Sequence, residues 1–195
     1  MRRTMRMTFG ILAFATATIA LAQSPIDYYP LKKDTKWVYK VGDNTIEVKV
    51  AESGKDGAKL DTIVNGKTVA SEMVKVEADG IYRTKINTAA IEPPVKFLEL
   101  KDNKPAAKGT KWSVDSKVQQ QVVKGEFSIT ADKDKVKVPQ GEHEAVVVDG
   151  PNFEIAGTKT AVKYWFAPKI GIVKLSYSIG GNEAVLELKE FTEGK

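Results

Sequence analysis

The sequence predicts an all-β, antiparallel fold, and three observations predict it. Apolar and charged residues alternate with a period of two over most of the chain. Clusters of Gly, Asn, Asp and Pro punctuate the alternating runs. Outside the N-terminal segment, no window carries an apolar stripe at helical spacing. Lys and Glu at alternate positions imply one wetted sheet face, which antiparallel sheets permit and parallel sheets do not.

The chain opens on an address. Arg2, Arg3 and Arg6 precede a small, apolar stretch from Thr8 to Leu21, and Ala20-Leu21-Ala22 stands before Gln23. A basic head, a short greasy run and small residues at the cut make residues 1–22 a secretory signal peptide, cleaved after Ala22. The run is short for a membrane span, which takes about 20 apolar residues; an uncleaved anchor helix is the alternative. No Cys follows the cut, so lipid attachment there is chemically excluded. The expected location is the periplasm or the extracellular space.

Residues 23–195 are expected to form one all-β domain, long enough to bury a core. Trp37, Tyr39 and Val41 share a face opposite Lys36 and Lys40; Ile46, Val48 and Val50 then alternate with polar residues. Gly42-Asp43-Asn44 between them makes residues 36–51 a hairpin. Asn65-Gly66 is the strongest hairpin signal, because both central residues of a type I′ turn need positive φ. Gly180-Gly181 makes a third and Asp79-Gly80 a fourth. Further strand-like runs are Val95–Leu100, Lys111–Ile129, Lys135–Val138, Ala145–Asp149 and Thr158–Phe166, with Pro139-Gln140-Gly141 a tight turn.

Ten or more strands are thus expected, and an open twisted sheet of that size curls, splits or closes. The expected architecture is a strongly curved sheet or partly closed barrel with a concave apolar side. A two-sheet sandwich is the alternative.

Tyr29–Trp37 matches Lys104–Trp112 at Pro, Lys, Thr, Lys and Trp, at a constant offset of 75. The same offset sets Pro93 on Pro168 and lays the apolar run after one on the run after the other. The pattern suggests an internal duplication with halves 23–97 and 98–195; shared strand chemistry is the competing explanation. A true duplication requires Trp37 and Trp112 to occupy equivalent environments.

Composition excludes more functions than it proposes. The chain has 195 residues, 30 Lys+Arg, 25 Asp+Glu, one His and no Cys. Three basic residues leave with the signal, so 27 remain against 25 acids, a net of +2. No nucleic-acid partner is expected from so even a balance. Zero Cys removes thiolate zinc, iron–sulfur and cysteine-nucleophile chemistry. The lone His143 lies between Glu142 and Glu144, whose side chains leave a strand on the opposite face, so the three do not converge. It reads as a surface residue at a strand entrance, with no metal and no cofactor expected. No nucleophile elbow or phosphate-cradling loop is present. An enzyme is not expected; a carboxylate-pair hydrolase is the remaining catalytic alternative. The many lysines, Lys49, Lys75, Lys124 and Lys133 to Lys137 among them, read as solubilising outer-face residues.

The aromatics remain. Tyr164-Trp165-Phe166-Ala167-Pro168 is the densest cluster, with Tyr164 and Phe166 on one face and Trp165 on the other. Their simplest role is core packing. The sharper one makes Tyr39, Tyr164 and Phe166 the lining of a cavity for an apolar ligand.

Three segments, Asp27–Tyr39, Val138–Ala145 and Tyr164–Lys174, resemble a broad set of uncharacterised exported bacterial proteins. Those proteins share a "YYPL-x-x-G-x-x-W-x-Y" strand, a "V-P-x-G-x-[aromatic]-x-A" turn and a "W-[YF]-A-P-x-[IV]-G-[LIV]-V-K" segment. Here Asp34 stands in the usual Gly position and His143 where an aromatic is common. The resemblance implies an envelope or secreted β domain. It is similar more loosely to curved-sheet lipoprotein carriers, which implies acyl chains held on a concave face. The leading expectation is a non-catalytic, exported domain that binds a lipid or apolar small molecule. The alternative is a structural or protein-interaction module of the envelope, partnered by an envelope protein.

Overall fold

The computed structural model describes residues 28–195; the signal segment and its cleavage point lie outside them. The strands are β1 (Lys36–Val41), β2 (Asn44–Gly54), β3 (Gly57–Val64), β4 (Lys67–Glu77), β5 (Gly80–Ile86), β6 (Ala89–Lys101) and β7 (Lys104–Pro105). β8 (Lys111–Val118), β9 (Gln121–Val138), β10 (Gly141–Ile155), β11 (Thr158–Ala167), β12 (Gly171–Ile179) and β13 (Asn182–Thr192) follow.

Twelve of these strands close into an antiparallel barrel in chain order. Each pairs with the next, β13 returns to β1, and β6 meets β8; β7 is a two-residue spur on β6. The ring of pairings excludes the sandwich. Closure is narrow at one seam, where only Ile91–Val118 and Glu92–Lys117 join β6 to β8.

Up-and-down topology puts six connections at one end, and all six are two-residue turns, at 42–43, 65–66, 87–88, 119–120, 156–157 and 180–181. Asn65-Gly66 and Gly180-Gly181 have φ of 51°/74° and 57°/87°, as their sequences predict. Ala156-Gly157 (φ 51°/79°) makes the same kind of turn without Asn or Asp, whereas Gln119-Gln120 turns with a positive φ at Gln119 alone (57°) and with no turn-forming composition. For this reason Lys111–Ile129 is two strands where the alternation predicts one continuous run.

The opposite end is the packed base. Tyr28, Tyr29 and Leu31 are buried there beneath the strands. Tyr29 stacks on Trp37 at 5.5 Å and meets Phe97 and Phe166 at 5.9 and 6.4 Å. The C-terminus returns to the same place, where Gly194 N–H donates to Thr35 Oγ1 at 3.0 Å. The long β9–β10 hairpin also reaches across, with Gln140 N–H on the Leu188 carbonyl of β13 and Trp165 Nε1 on Asp134.

Outward residues pair across strands: Lys36–Glu47, Lys111–Glu126, Lys163–Asp149 and Lys174–Glu187. Each such exposed pair adds at most about 1 kcal/mol. Charges around the circumference are unlike the apolar band of a membrane-spanning barrel.

The segments flanking the two halves repeat in detail. Asp34 N–H bonds the Val50 carbonyl, Thr35 N–H the Lys32 carbonyl, and Val50 N–H the Thr35 carbonyl. The same three bonds recur in the second half: Gly109 N–H to the Ile129 carbonyl, Thr110 N–H to the Ala107 carbonyl and Ile129 N–H to the Thr110 carbonyl. Residues 107, 109 and 110 keep the offset of 75, whereas Ile129 stands for Val50 at an offset of 79. Asp34 (φ 67°) and Gly109 (φ 93°) both take the left-handed backbone that glycine favours. Six barrel strands, β1–β6, precede residues 102–110 and six, β8–β13, follow, so β6 crosses the 97/98 boundary drawn from sequence. Trp37 is fully buried whereas Trp112 is half-buried, so their environments are not equivalent. The second matched block does not follow: Pro93 lies within β6, whereas Pro168 lies in the β11–β12 turn.

Candidate functional site

A barrel of eight strands is just wide enough for its own side chains to fill. Twelve strands enclose more space, and this sequence fills only the lower part. At the base the large rings of Tyr29, Trp37, Phe97, Tyr164 and Phe166 span the bore. Higher up, Val95, Val123, Val162 and Leu175 are too short to meet across it. The result is a cavity of about 550 Å³ below the six hairpins. A second of about 330 Å³ adjoins it, bounded by Ile46, Val48, Thr62, Ser71 and Leu186. Arg83, Ile86, Tyr164, Leu175 and Tyr177 line both.

The larger cavity opens at the hairpin end. Ile86, Ile155 and Ile179 line it and are 38%, 37% and 48% exposed, which places apolar side chains on the rim. Phe127 and Phe153 form a shelf lower in the wall, their centroids 4.6 Å apart. Gly125 and Gly150 leave the space those rings occupy.

Two charges stand inside this apolar space. Arg83 on β5 donates its Nε–H to Glu72 on β4, and the guanidinium lies 5.4 Å from the Phe97 ring centroid. Burial is the largest influence on Arg83 and opposes its charge, but Glu72, Tyr164 and Tyr29 together outweigh it and hold the guanidinium above its ordinary pKa. Burial, and then the Glu72 charge, push the Tyr29 and Tyr39 hydroxyls well above their ordinary range, so both stay protonated.

The three aromatics singled out by sequence have distinct places. Tyr39 borders the smaller cavity and donates its hydroxyl to the Ile172 carbonyl at 2.8 Å. Tyr164 faces both cavities. Phe166 is fully buried in the aromatic base, beneath them and outside their lining. Arg83 and Glu72 were not anticipated, although a signal exists. In Ala70-x-Glu72-x-Val74 and Ile81-x-Arg83, opposite charges occupy core-facing positions of adjoining strands.

His143 is remote from these cavities. Its Nε2 is buried without a hydrogen-bond partner, and burial lowers its pKa below the ordinary 6.5. Among the described residues, no three His, Asp or Glu side chains converge in a metal-holding group.

Two solved structures share this fold. One, from Bacteroides fragilis, is a "putative exported protein with YmcC-like fold"; it superposes with a TM-score of 0.57 at 13% identity over 85% of this chain and 98% of its own. The other, a "putative lipoprotein" from Parabacteroides distasonis, gives a TM-score of 0.54 at 14% identity with the same coverage. No protein-family model matches the chain, and neither does any curated protein.

Proposed function

We infer that this is an exported, non-catalytic binding protein that takes an apolar ligand into the upper half of its barrel. The observation that carries this reading is the rim-open cavity of about 550 Å³. That volume is within the range of small-molecule sites, about 300–1,000 Å³. Its wall is predominantly Ile, Val, Leu and Phe. Apolar walls left open to water gain by being covered, because removing apolar surface from water is favourable. Residues 1–22 support export, and one fold neighbour is described as exported and the other as a lipoprotein. The alternative of docking through strand edges has less support, because closure removes most edges.

The test is titration of the processed chain, residues 23–195, with the neutral fluorescent probe N-phenyl-1-naphthylamine. Saturable enhancement, displaced by a long-chain alcohol or acid, is the expected result. Native mass spectrometry on protein from its own host should show a co-purified lipid. Absence of probe binding together with a clean apo mass defeats the proposal.

A further inference from the structure

Arg83 is held by the protein on one side only. Its Nε–H meets Glu72 and its face meets Phe97; the Tyr29 and Tyr164 rings stand near enough to feel its charge, and no further hydrogen bond or ion pair to it is present among the described residues. The two terminal amino groups therefore have no protein acceptor. The side chain nevertheless lines both cavities and remains 24% exposed, toward their shared space.

A guanidinium is a planar fork of five N–H donors that keeps its proton under all ordinary conditions. Glu72 takes one of the five. The rest face a chamber walled by Val95, Val162, Leu175 and Ile86. Charge-assisted donors left unmet in an apolar chamber are costly. A plain hydrocarbon in the cavity would leave them unmet. A carboxylate matches the fork and can accept two N–H groups at once. The surroundings are graded in the same sense: Thr62, Ser71 and Tyr39 hydroxyl-bearing residues lie on the Glu72 side, whereas the path toward Ile155 and Ile179 is mostly hydrocarbon, with Gln121, Thr160 and Tyr177 its polar members.

We propose that the ligand is a single-chain amphiphile with a carboxylate head, seated head-down on the terminal amino groups of Arg83 with its chain running up the larger cavity to the rim. The proposal rests on the binding function inferred above and specifies the ligand's chemistry. Glu72 has a double part in it. It orients the guanidinium through Nε, and its own charge weakens the hold on an incoming anion, which keeps capture reversible.

The experiment compares three probes of equal chain length, dodecanoate, dodecanol and dodecyltrimethylammonium, as competitors for bound N-phenyl-1-naphthylamine. In the wild type, dodecanoate should bind about tenfold tighter than dodecanol, the worth of a charge-assisted hydrogen bond, and the cation weakest. Glu72→Gln should widen that preference, because the competing carboxylate is gone, and its melting temperature should rise more with dodecanoate than the wild type's does. The double variant Arg83→Met, Glu72→Met removes both charges, a replacement that cores tolerate. It should lose the preference for dodecanoate over dodecanol, read as the ratio of the two competition constants or, where the probe no longer binds, of the two melting-temperature shifts. Equal competition by all three chains in the wild type overturns the Arg83 seat and leaves the cavity reading standing. An unchanged preference in either variant also overturns it. Failure of the probe itself to bind the wild type removes the cavity reading, and this proposal with it.

Discussion

Trp37 and Trp112 close the barrel from opposite halves: each donates its indole N–H to a backbone carbonyl of the other half, Ile170 at 2.6 Å and Lys96 at 2.9 Å. Both carbonyls lie where the ladder is interrupted. Ile170 is in the β11–β12 turn, and Lys96 is on the stretch of β6 that β8 does not pair. Trp37→Phe should cost about 2 kcal/mol, because a carbonyl is left unmet inside the base. Trp112 is half-buried and water can reach its carbonyl, so Trp112→Phe should cost about 1 kcal/mol. Urea unfolding of the two variants measures the order; a larger loss for Trp112→Phe contradicts the assignment.

Filling the cavity should separate stability from binding. Val162 on β11 is half-buried and faces open space. Val162→Trp should abolish N-phenyl-1-naphthylamine binding without lowering the melting temperature, since the new ring occupies a void. A destabilised variant would mean that the space is already occupied by packing.

Gly150 sits against the phenylalanine shelf. A Cβ there would lie 2.5 Å from the Phe153 ring and 2.8 Å from Phe127. Gly150→Ala should therefore destabilise by about 1–3 kcal/mol, the usual cost of overpacking, and displace the rings into the cavity. Thermal melting and a reduced probe affinity check both halves of this expectation.

His143 predicts a slope in the pH dependence of stability. Burial favours its neutral form, so its folded-state pKa lies below 6.5. As pH falls through 6.5 the unfolded chain takes up a proton that the folded chain resists, and stability declines until the folded form is protonated too. His143→Phe should remove this component of the slope and gain about 1 kcal/mol near neutrality, because an unmet buried nitrogen disappears. Denaturant midpoints above and below pH 6.5 test it. An undiminished slope in the variant would assign the effect to carboxylates instead.

Much of the barrel was written in local chemistry. Trp37, Tyr39, Ile46, Val48 and Val50 face inward as their alternation demands, and Asn65-Gly66 turns where only such a pair turns easily. Asp34 shows a position more readable than its residue. The left-handed backbone that a glycine usually supplies is kept by Asp at φ 67°, tied to Lys49 at 2.8 Å. The turn at Gln119 was illegible because the pairing of β8 with β9 imposes its φ with no local preference to announce it, and at Ala156 only the single Gly157 marks the turn. Arg83 and Glu72 escaped for a related reason. A charge at one inward position looks like an error in the pattern until the register places its partner on the neighbouring strand. The bore, too, follows from strand number and closure, which no single segment encodes.

Tyr28 and Gly194 both lie at the sealed pole, and the apolar rim occupies the other. Anything fused to either end of the folded chain, whether a reporter, a purification handle or a tether to a surface, would hang from the floor and leave the doorway unobstructed. The hairpins around that doorway are too short to fold across it. Under the proposed binding function, exchange of a ligand should therefore be governed by how well it fits, with no gate to wait for.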